Sequence, residues 1–308
     1  ILFMGTPDFA EESLKSIDKA GFNILGVVTN PDKPKGRGMK IVSSPVKEYA
    51  LEKNIPVYQP IKVRNNPEFI EEVRKMNPDV ICVVAYGKIL PEELLKIPKL
   101  GCINVHGSLL PKYRGAAPIQ WAVIDGEEET GVTTMYMAEG LDTGDVIDTA
   151  VIKLDEKETG GSLFDKLAIE GGKLIVETLS KLENGTATRT PQDDEKSSYA
   201  GKITKELGQI DFTKPAVTIE RLIRGLNPWP SAYTTLDGKA MKVWDATVEE
   251  GNVTEKPGEI VEIAKHYIKV ATGENYLKIN EIQLAGKKRM PMDAFLNGYT
   301  IKENILGL

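Results

Sequence analysis

The stretch Asn104-Val-His-Gly-Ser-Leu-Leu-Pro-Lys-Tyr-Arg-Gly-Ala-Ala-Pro118 gathers more potential chemistry than any other part of the sequence. It continues from an apolar run, Gly101 to His106, that reads as a strand. Alternation along a strand puts Asn104 and His106 on one face at its carboxyl end. His106 is one of two histidines in the chain. A lone histidine is more often structural than chemical, but a carboxamide beside it on the same face points to a site. An Asn N–H can donate to a developing oxyanion, and an imidazole can move protons near neutral pH. His266 lies between strand candidates and carries no such signal.

A second segment, Gly140-Leu-Asp-Thr-Gly-Asp145, brackets Asp142 with glycines and allows a tight loop. Such a segment is commonly a plain turn, but a carboxylate delivered beside His106 would orient and charge-stabilise the imidazole. Nucleophilic catalysis is not indicated. Ser108 lacks the Gly-x-Ser-x-Gly elbow, and Cys82 and Cys102 fall inside strand patterns, where a thiol is buried and inert. No His, Cys or Asp group has metal-ligand spacing. The loop Gly5-Thr-Pro-Asp-Phe follows the first strand without Gly-x-Gly-x-x-Gly, which counts against hydride transfer. Direct transfer of a group between two bound substrates remains, with Asn104 facing the oxyanion and His106 moving protons.

Alternating elements position these residues. Ile1–Met4, Asn23–Thr29, Pro56–Tyr58, Asp79–Tyr86 and Gly101–His106 read as strands. Helical patterns lie between them, to about Lys19, at Val46–Lys53 and at Glu68–Met76, with Thr6 as the first N-cap. This is the pattern of βαβ units and a doubly wound, mostly parallel sheet, whose ligands bind beyond the strands' carboxyl ends. Val132–Ala138 and Asp145–Lys153 add strands, and Gly161–Leu182 a long helix. The polar stretch Asn184–Gly201 reads as a connection between domains. Beyond it come a helix at Thr218–Leu226 and short strands at 232–236, 240–244, 259–263, 267–270, 276–279 and 281–284, the pattern of a small barrel.

The length of 308 residues fits one large domain or two modest ones. Lys and Arg number 39 against 45 Asp and Glu, a net charge of −6. That excludes a protein coating nucleic acid by bulk field, but not one that uses a local patch. Residues 1–200 hold 24 basic and 31 acidic residues, and residues 201–308 hold 15 and 14. Two basic islands stand out: Asp32–Lys40, with Lys33, Lys35, Arg37 and Lys40, and Gly286–Arg289. The longest apolar run, Val80–Tyr86, is far below the ~20 residues of a membrane helix. Two cysteines make no disulfide framework and suit a reducing cytoplasm. The chain starts inside an apolar run, so an initiator Met is expected before Ile1.

Taken together, the Asn104–Gly115 and Gly140–Asp145 motifs resemble the signature of the 10-formyltetrahydrofolate-dependent formyltransferases. Phe3-Met-Gly-Thr-Pro-Asp-Phe9, Lys35-Gly-Arg-Gly-Met-Lys40 with Ser44-Pro-Val-Lys47, Arg114-Gly-Ala-Ala-Pro-Ile-Gln120 and Asn227-Pro-Trp-Pro230 resemble the branch acting on initiator methionyl-tRNA. The resemblance spans essentially the whole chain. It implies a Rossmann-like catalytic domain at 1–186, a linker at 187–205, and an OB-like β-barrel at 206–308 that binds tRNA. It assigns Asn104, His106 and Asp142 as catalytic. Ser108, Leu109, Leu110 and Pro111 would lie along the folate, and the backbone around Val84, Tyr86, Gly87, Ile89 and Leu90 would line the pterin pocket. Lys33, Lys35, Arg37 and Lys40 would grip the acceptor end of the tRNA, and Lys287, Lys288 and Arg289 its backbone. The implied formyl donor is 10-formyltetrahydrofolate, without a metal, and the implied acceptor is initiator methionyl-tRNA. A cytoplasmic monomer without DNA or membrane partners is expected. A formyltransferase for an amino sugar nucleotide, which would not need the basic loop, and an inactive RNA-binding relative are the alternatives.

Overall fold

A computed structural model of the chain describes residues 1–35 and 40–307. The chain divides into two compact units. The first comprises Ile1–Gly115, Glu129–Lys153 and Phe164–Ala200, and the second Ala116–Glu128, Leu154–Leu163 and Gly201–Leu308. This differs from the contiguous blocks expected from sequence: residues 187–200, expected to belong to a linker, pack within the first unit.

The first unit is built on a seven-stranded sheet. Its strands are β1 (Leu2–Gly5), β2 (Gly26–Val28), β3 (Val57–Tyr58), β4 (Ile81–Val84), β5 (Cys102–His106), β6 (Glu129–Tyr136) and β7 (Val146–Lys153). They lie in the order β7-β6-β5-β4-β1-β2-β3. β1 to β5 pair in parallel, β6 runs antiparallel to β5, and β7 antiparallel to β6. Every residue of β1 and β4 is buried, which is why these strands read as unbroken apolar runs. The strand order reverses at β1, with β2 on one side and β4 on the other. The carboxyl ends of β1 and β4 therefore flank the topological switch point, where ligands bind in such sheets.

Local chemistry sets the helices. Ser44 caps Pro45–Glu52 by accepting from Lys47 N, with Pro45 in the first turn. Asn66 caps Pro67–Met76, which ends on Asn77 in the left-handed region. The expected cap on helix Asp8–Lys19 differs: Pro7 holds that position, and Thr6 Oγ1 instead accepts from Asn30 Nδ2 at 3.0 Å. The Thr6 hydroxyl thus ties the first loop to the end of β2 rather than to its own helix. Helix Pro118–Asp125 has no counterpart among the expected elements, because eight residues are too few for a helical period to register.

In the second unit, β8 (Ala232–Leu236), β9 (Lys239–Glu249), β10 (Ile260–Ile263), β11 (Ile268–Ala271), β12 (Tyr276–Leu284) and β13 (Met290–Pro291) form an antiparallel sheet. Its order is β8-β9-β12-β11-β10, with β13 also on β12. Among the described residues no pairing joins the two ends of this path. The strands expected at 276–279 and 281–284 are one strand. Its register against β9 shifts around Asp245, leaving Asn280 out of the ladder as a bulge residue. Helix Ala216–Gly225 buries Ala216, Ile219 and Ile223 in a core shared with Met241, Val243, Leu277 and Ile279.

Candidate active site

β5 brings Asn104 and His106 to the carboxyl end of the sheet beside β4. Asn104 Nδ2 donates to Val83 O of the neighbouring strand at 3.1 Å. Its Oδ1 is buried and has no hydrogen-bond partner. A buried acceptor left unpaired costs free energy on the order of 1–3 kcal/mol. The carboxamide is therefore fixed by a main-chain carbonyl, with one N–H and its oxygen left for a bound molecule.

His106 is 6% exposed. Its Nε2 lies 2.8 Å from Tyr113 O, and because a carbonyl can only accept, Nε2 carries the proton. The other nitrogen, Nδ1, lies 3.7 Å from Asp142 Oδ2, beyond hydrogen-bond range but close enough for the carboxylate field to act. Asp142 Oδ2 instead accepts from Gly115 N at 2.8 Å. The sequence predicts that Asp142 orients His106. In the structure the Tyr113 carbonyl does so, and Asp142 faces the second nitrogen. Asp142 itself sits at φ +52°, a left-handed conformation that Asp tolerates better than most residues. Gly144 is required nearby, since a Cβ there would fall 1.7 Å from Tyr136 O.

The Ser108–Pro111 segment is held from behind. Thr133 Oγ1 on β6 donates to Ser108 O at 2.7 Å and accepts from Leu110 N at 3.2 Å. Ser108 is wholly buried and its hydroxyl donates to Lys112 O, so that hydroxyl is committed to the protein. Leu109 and Pro111 are half-buried, and Leu110 is buried. Beyond β4, Tyr86 turns its ring into the core with Leu90, leaving its carbonyl to accept from Asn30 Nδ2 at 3.0 Å. Val84 is buried within the strand, Gly87 is exposed, and Ile89 is 76% exposed. The segment presents main chain at Gly87, whereas the Ile89 side chain stands in solvent. Burial pushes the Cys82 and Cys102 thiols up to about 12, so neither supplies a thiolate.

The basic islands fare differently. Lys33–Lys35 and Lys40–Val42 pair as an antiparallel ribbon, with Lys33 exposed. Arg37 lies outside the described residues. Lys47, Asp32 and Gln59 tie the base of this ribbon: Lys47 Nζ contacts Asp32 Oδ2 at 2.6 Å and Gln59 Oε1 at 2.9 Å. Lys287 and Lys288 are exposed. Arg289, expected as a tRNA contact, is committed elsewhere. It forks onto both oxygens of Glu281 at 2.8 and 2.6 Å and stacks 4.6 Å over the Trp244 ring.

Four residues that shape the site were not legible in sequence: Tyr113, Gly115, Thr133 and Gln192. The first three act through main-chain groups or a lone hydroxyl, which leave no pattern. Gln192 falls in the polar stretch expected to be a linker, yet its side chain bonds to Arg114 and to the carbonyls of Asp142 and Gly144.

Residues 1–179 match the family profile described as formyl transferase, and residues 202–300 match that of the formyl transferase C-terminal domain. The chain is 57% identical over 303 residues to the methionyl-tRNA formyltransferase of Agathobacter rectalis, covering 98% of this chain and 97% of the relative. It is 55% identical over 306 residues to that of Clostridioides difficile, covering 99% of both. Among solved structures, an N-formyltransferase from Helicobacter canadensis in complex with folinic acid and dTDP-3-aminofucose superposes with a TM-score of 0.68. It is 21% identical over 93% of this chain and 98% of that chain, a likeness of fold.

Proposed function

The chain belongs to the formyl transferase family, and we infer that it moves the formyl group of 10-formyltetrahydrofolate onto the α-amino group of methionine on initiator methionyl-tRNA. The observation that carries this reading is identity above one half, across both units, with two methionyl-tRNA formyltransferases. The folate, when bound, supplies a one-carbon acyl group open to attack by an amine. The carboxyl ends of β1, β4 and β5 suit it, because the exposed main chain at Ala85 and Gly87 offers hydrogen bonds there.

We assign the chemistry to Asn104, His106 and Asp142. Asn104 keeps one Nδ2 proton for the oxyanion that develops on the attacked carbon, while Oδ1 accepts from the incoming amine and aligns it. His106 holds a proton on Nε2 against Tyr113 O, so Nδ1 is the nitrogen that takes the amine proton and returns it to the departing nitrogen. Asp142 stabilises the imidazolium through space at 3.7 Å. Oxyanion donors are typically worth ~10²–10³ in rate and acid–base groups ~10²–10⁴. Leu109, Leu110 and Pro111 flank the folate, and the exposed Lys33, Lys287 and Lys288 meet tRNA phosphates.

The test is a paired assay with 10-formyltetrahydrofolate as donor and either methionyl initiator tRNA or an amino sugar nucleotide as acceptor. Formylated methionyl-tRNA is expected. Turnover of the sugar nucleotide alone would overturn the acceptor assignment, and no turnover of either would leave an RNA-binding protein without the activity.

A further inference from the structure

Residues 189–200 lie across the two loops that flank His106. Thr190 exchanges two main-chain hydrogen bonds with Val146, and the Arg189 guanidinium stacks 3.6 Å from the Tyr136 ring centre. Ser198 accepts from Arg114 N through its carbonyl at 2.8 Å and from Tyr113 N through its hydroxyl at 2.9 Å. Tyr199–Ala200 pairs with Arg114–Gly115. The segment therefore holds the loop whose Tyr113 carbonyl orients His106 and whose Gly115 N–H binds Asp142.

Gln192 connects this loop to the other one. Its Oε1 accepts from Arg114 Nε at 3.0 Å and Nη2 at 2.8 Å. Its Nε2 donates to Asp142 O at 2.8 Å and Gly144 O at 2.7 Å. One carboxamide thus uses its acceptor on the loop that positions His106 and both its protons on the loop that bears Asp142. Neither a carboxylate nor an ammonium could do both, because the first has no proton to donate and the second no lone pair to accept. The carbonyl of the left-handed Asp142 thus gains a fixed donor where its backbone is least favoured.

We propose that Gln192 is a positioning residue for formyl transfer: it clamps the Asp142 loop to the Arg114 loop and so sets the place of the Asp142 carboxylate beside His106. This rests on the assignment of Asp142 and His106 given above. Gln192 touches neither substrate in this reading and acts through Asp142. A misplacement of a catalytic group by about 1 Å can cost ~10²-fold.

The experiment compares Gln192→Ala, Gln192→Glu and Asp142→Asn, and each Gln192 variant combined with Asp142→Asn. Gln192→Glu keeps the acceptor for Arg114 but turns a carboxylate toward two carbonyls, so it preserves the tether of residues 189–200 while releasing the Asp142 loop. Both Gln192 variants are expected to lower kcat by about 10- to 10²-fold, with KM for folate and for tRNA within about two-fold of wild type. In the Asp142→Asn background the further loss is expected to shrink to a few-fold, because the residue acts through the group already changed. Melting curves establish that the variants fold, and Gln192→Glu remains informative if Gln192→Ala does not. Wild-type kcat in Gln192→Glu, or an undiminished loss in the Asp142→Asn background, overturns the proposal while leaving the catalytic assignment standing. Wild-type turnover in Asp142→Asn itself overturns that assignment, and the proposal with it.

Discussion

At His106 the imidazole meets two oxygens at different ranges, Tyr113 O at 2.8 Å and Asp142 Oδ2 at 3.7 Å. The nearer fixes the ring and the tautomer, and the farther acts by charge. The three proposed catalytic residues should therefore not be equally sensitive. Asn104→Ala and His106→Ala are expected to lose at least ~10²–10³ in kcat with folate affinity within a few-fold, as oxyanion and proton-transfer groups do. Asp142→Asn is expected to lose less than His106→Ala, because Asn still accepts from Gly115 N and only the charge is removed. Single-turnover kinetics with saturating folate measure these losses separately from binding. A variant whose folate affinity fell in proportion to its turnover would contradict the assigned roles.

Among the elements, β6 holds the Ser108–Pro111 loop through one hydroxyl, since Thr133 both donates to Ser108 O and accepts from Leu110 N. Thr133→Val keeps the shape and leaves two main-chain groups unpaired, at a cost on the order of 1–3 kcal/mol each. A melting temperature several degrees lower and a raised KM for folate are expected, read by thermal melts and steady-state kinetics. The ribbon of Lys33–Lys35 and Lys40–Val42 is likewise held at its base, by Lys47, Asp32 and Gln59. Lys47→Met is expected to raise KM for charged tRNA several-fold while sparing that for folate. Unchanged tRNA kinetics would show that the ribbon needs no anchor.

For the whole molecule, charge and acid stability offer the tests. With the lysine contacts proposed above, a chain of net charge −6 should show a modest salt slope in KM for tRNA. Replacing Lys287 and Lys288 by Gln is expected to reduce that slope by about one for each phosphate no longer neutralised. Arg289→Gln is expected to leave the slope alone, because Arg289 is spent on Glu281. Lys47 and then Gln59 hold the Asp32 carboxyl below its usual range, as Lys269 and Lys278 hold Glu249. Both groups are thus more acidic folded than unfolded. The stability they lend is present above the ordinary carboxylate range and is lost as pH falls through and below it. Glu249→Gln should accordingly flatten the acid limb of a stability-against-pH curve followed by circular dichroism. By itself the sequence determined the alternating sheet, the strand that ends in Asn104 and His106, and the family, because apolar periodicity and contiguous motifs are local properties of a chain. It did not determine where Tyr113 O, Gly115 N and Thr133 Oγ1 point, that Arg289 is already paired, or that residues 187–200 pack within the first unit. Those depend on groups far apart in sequence meeting through main-chain atoms. Gln192 and Asp142, fifty positions apart, are brought together by tertiary packing, and their pairing leaves no period or motif in the sequence.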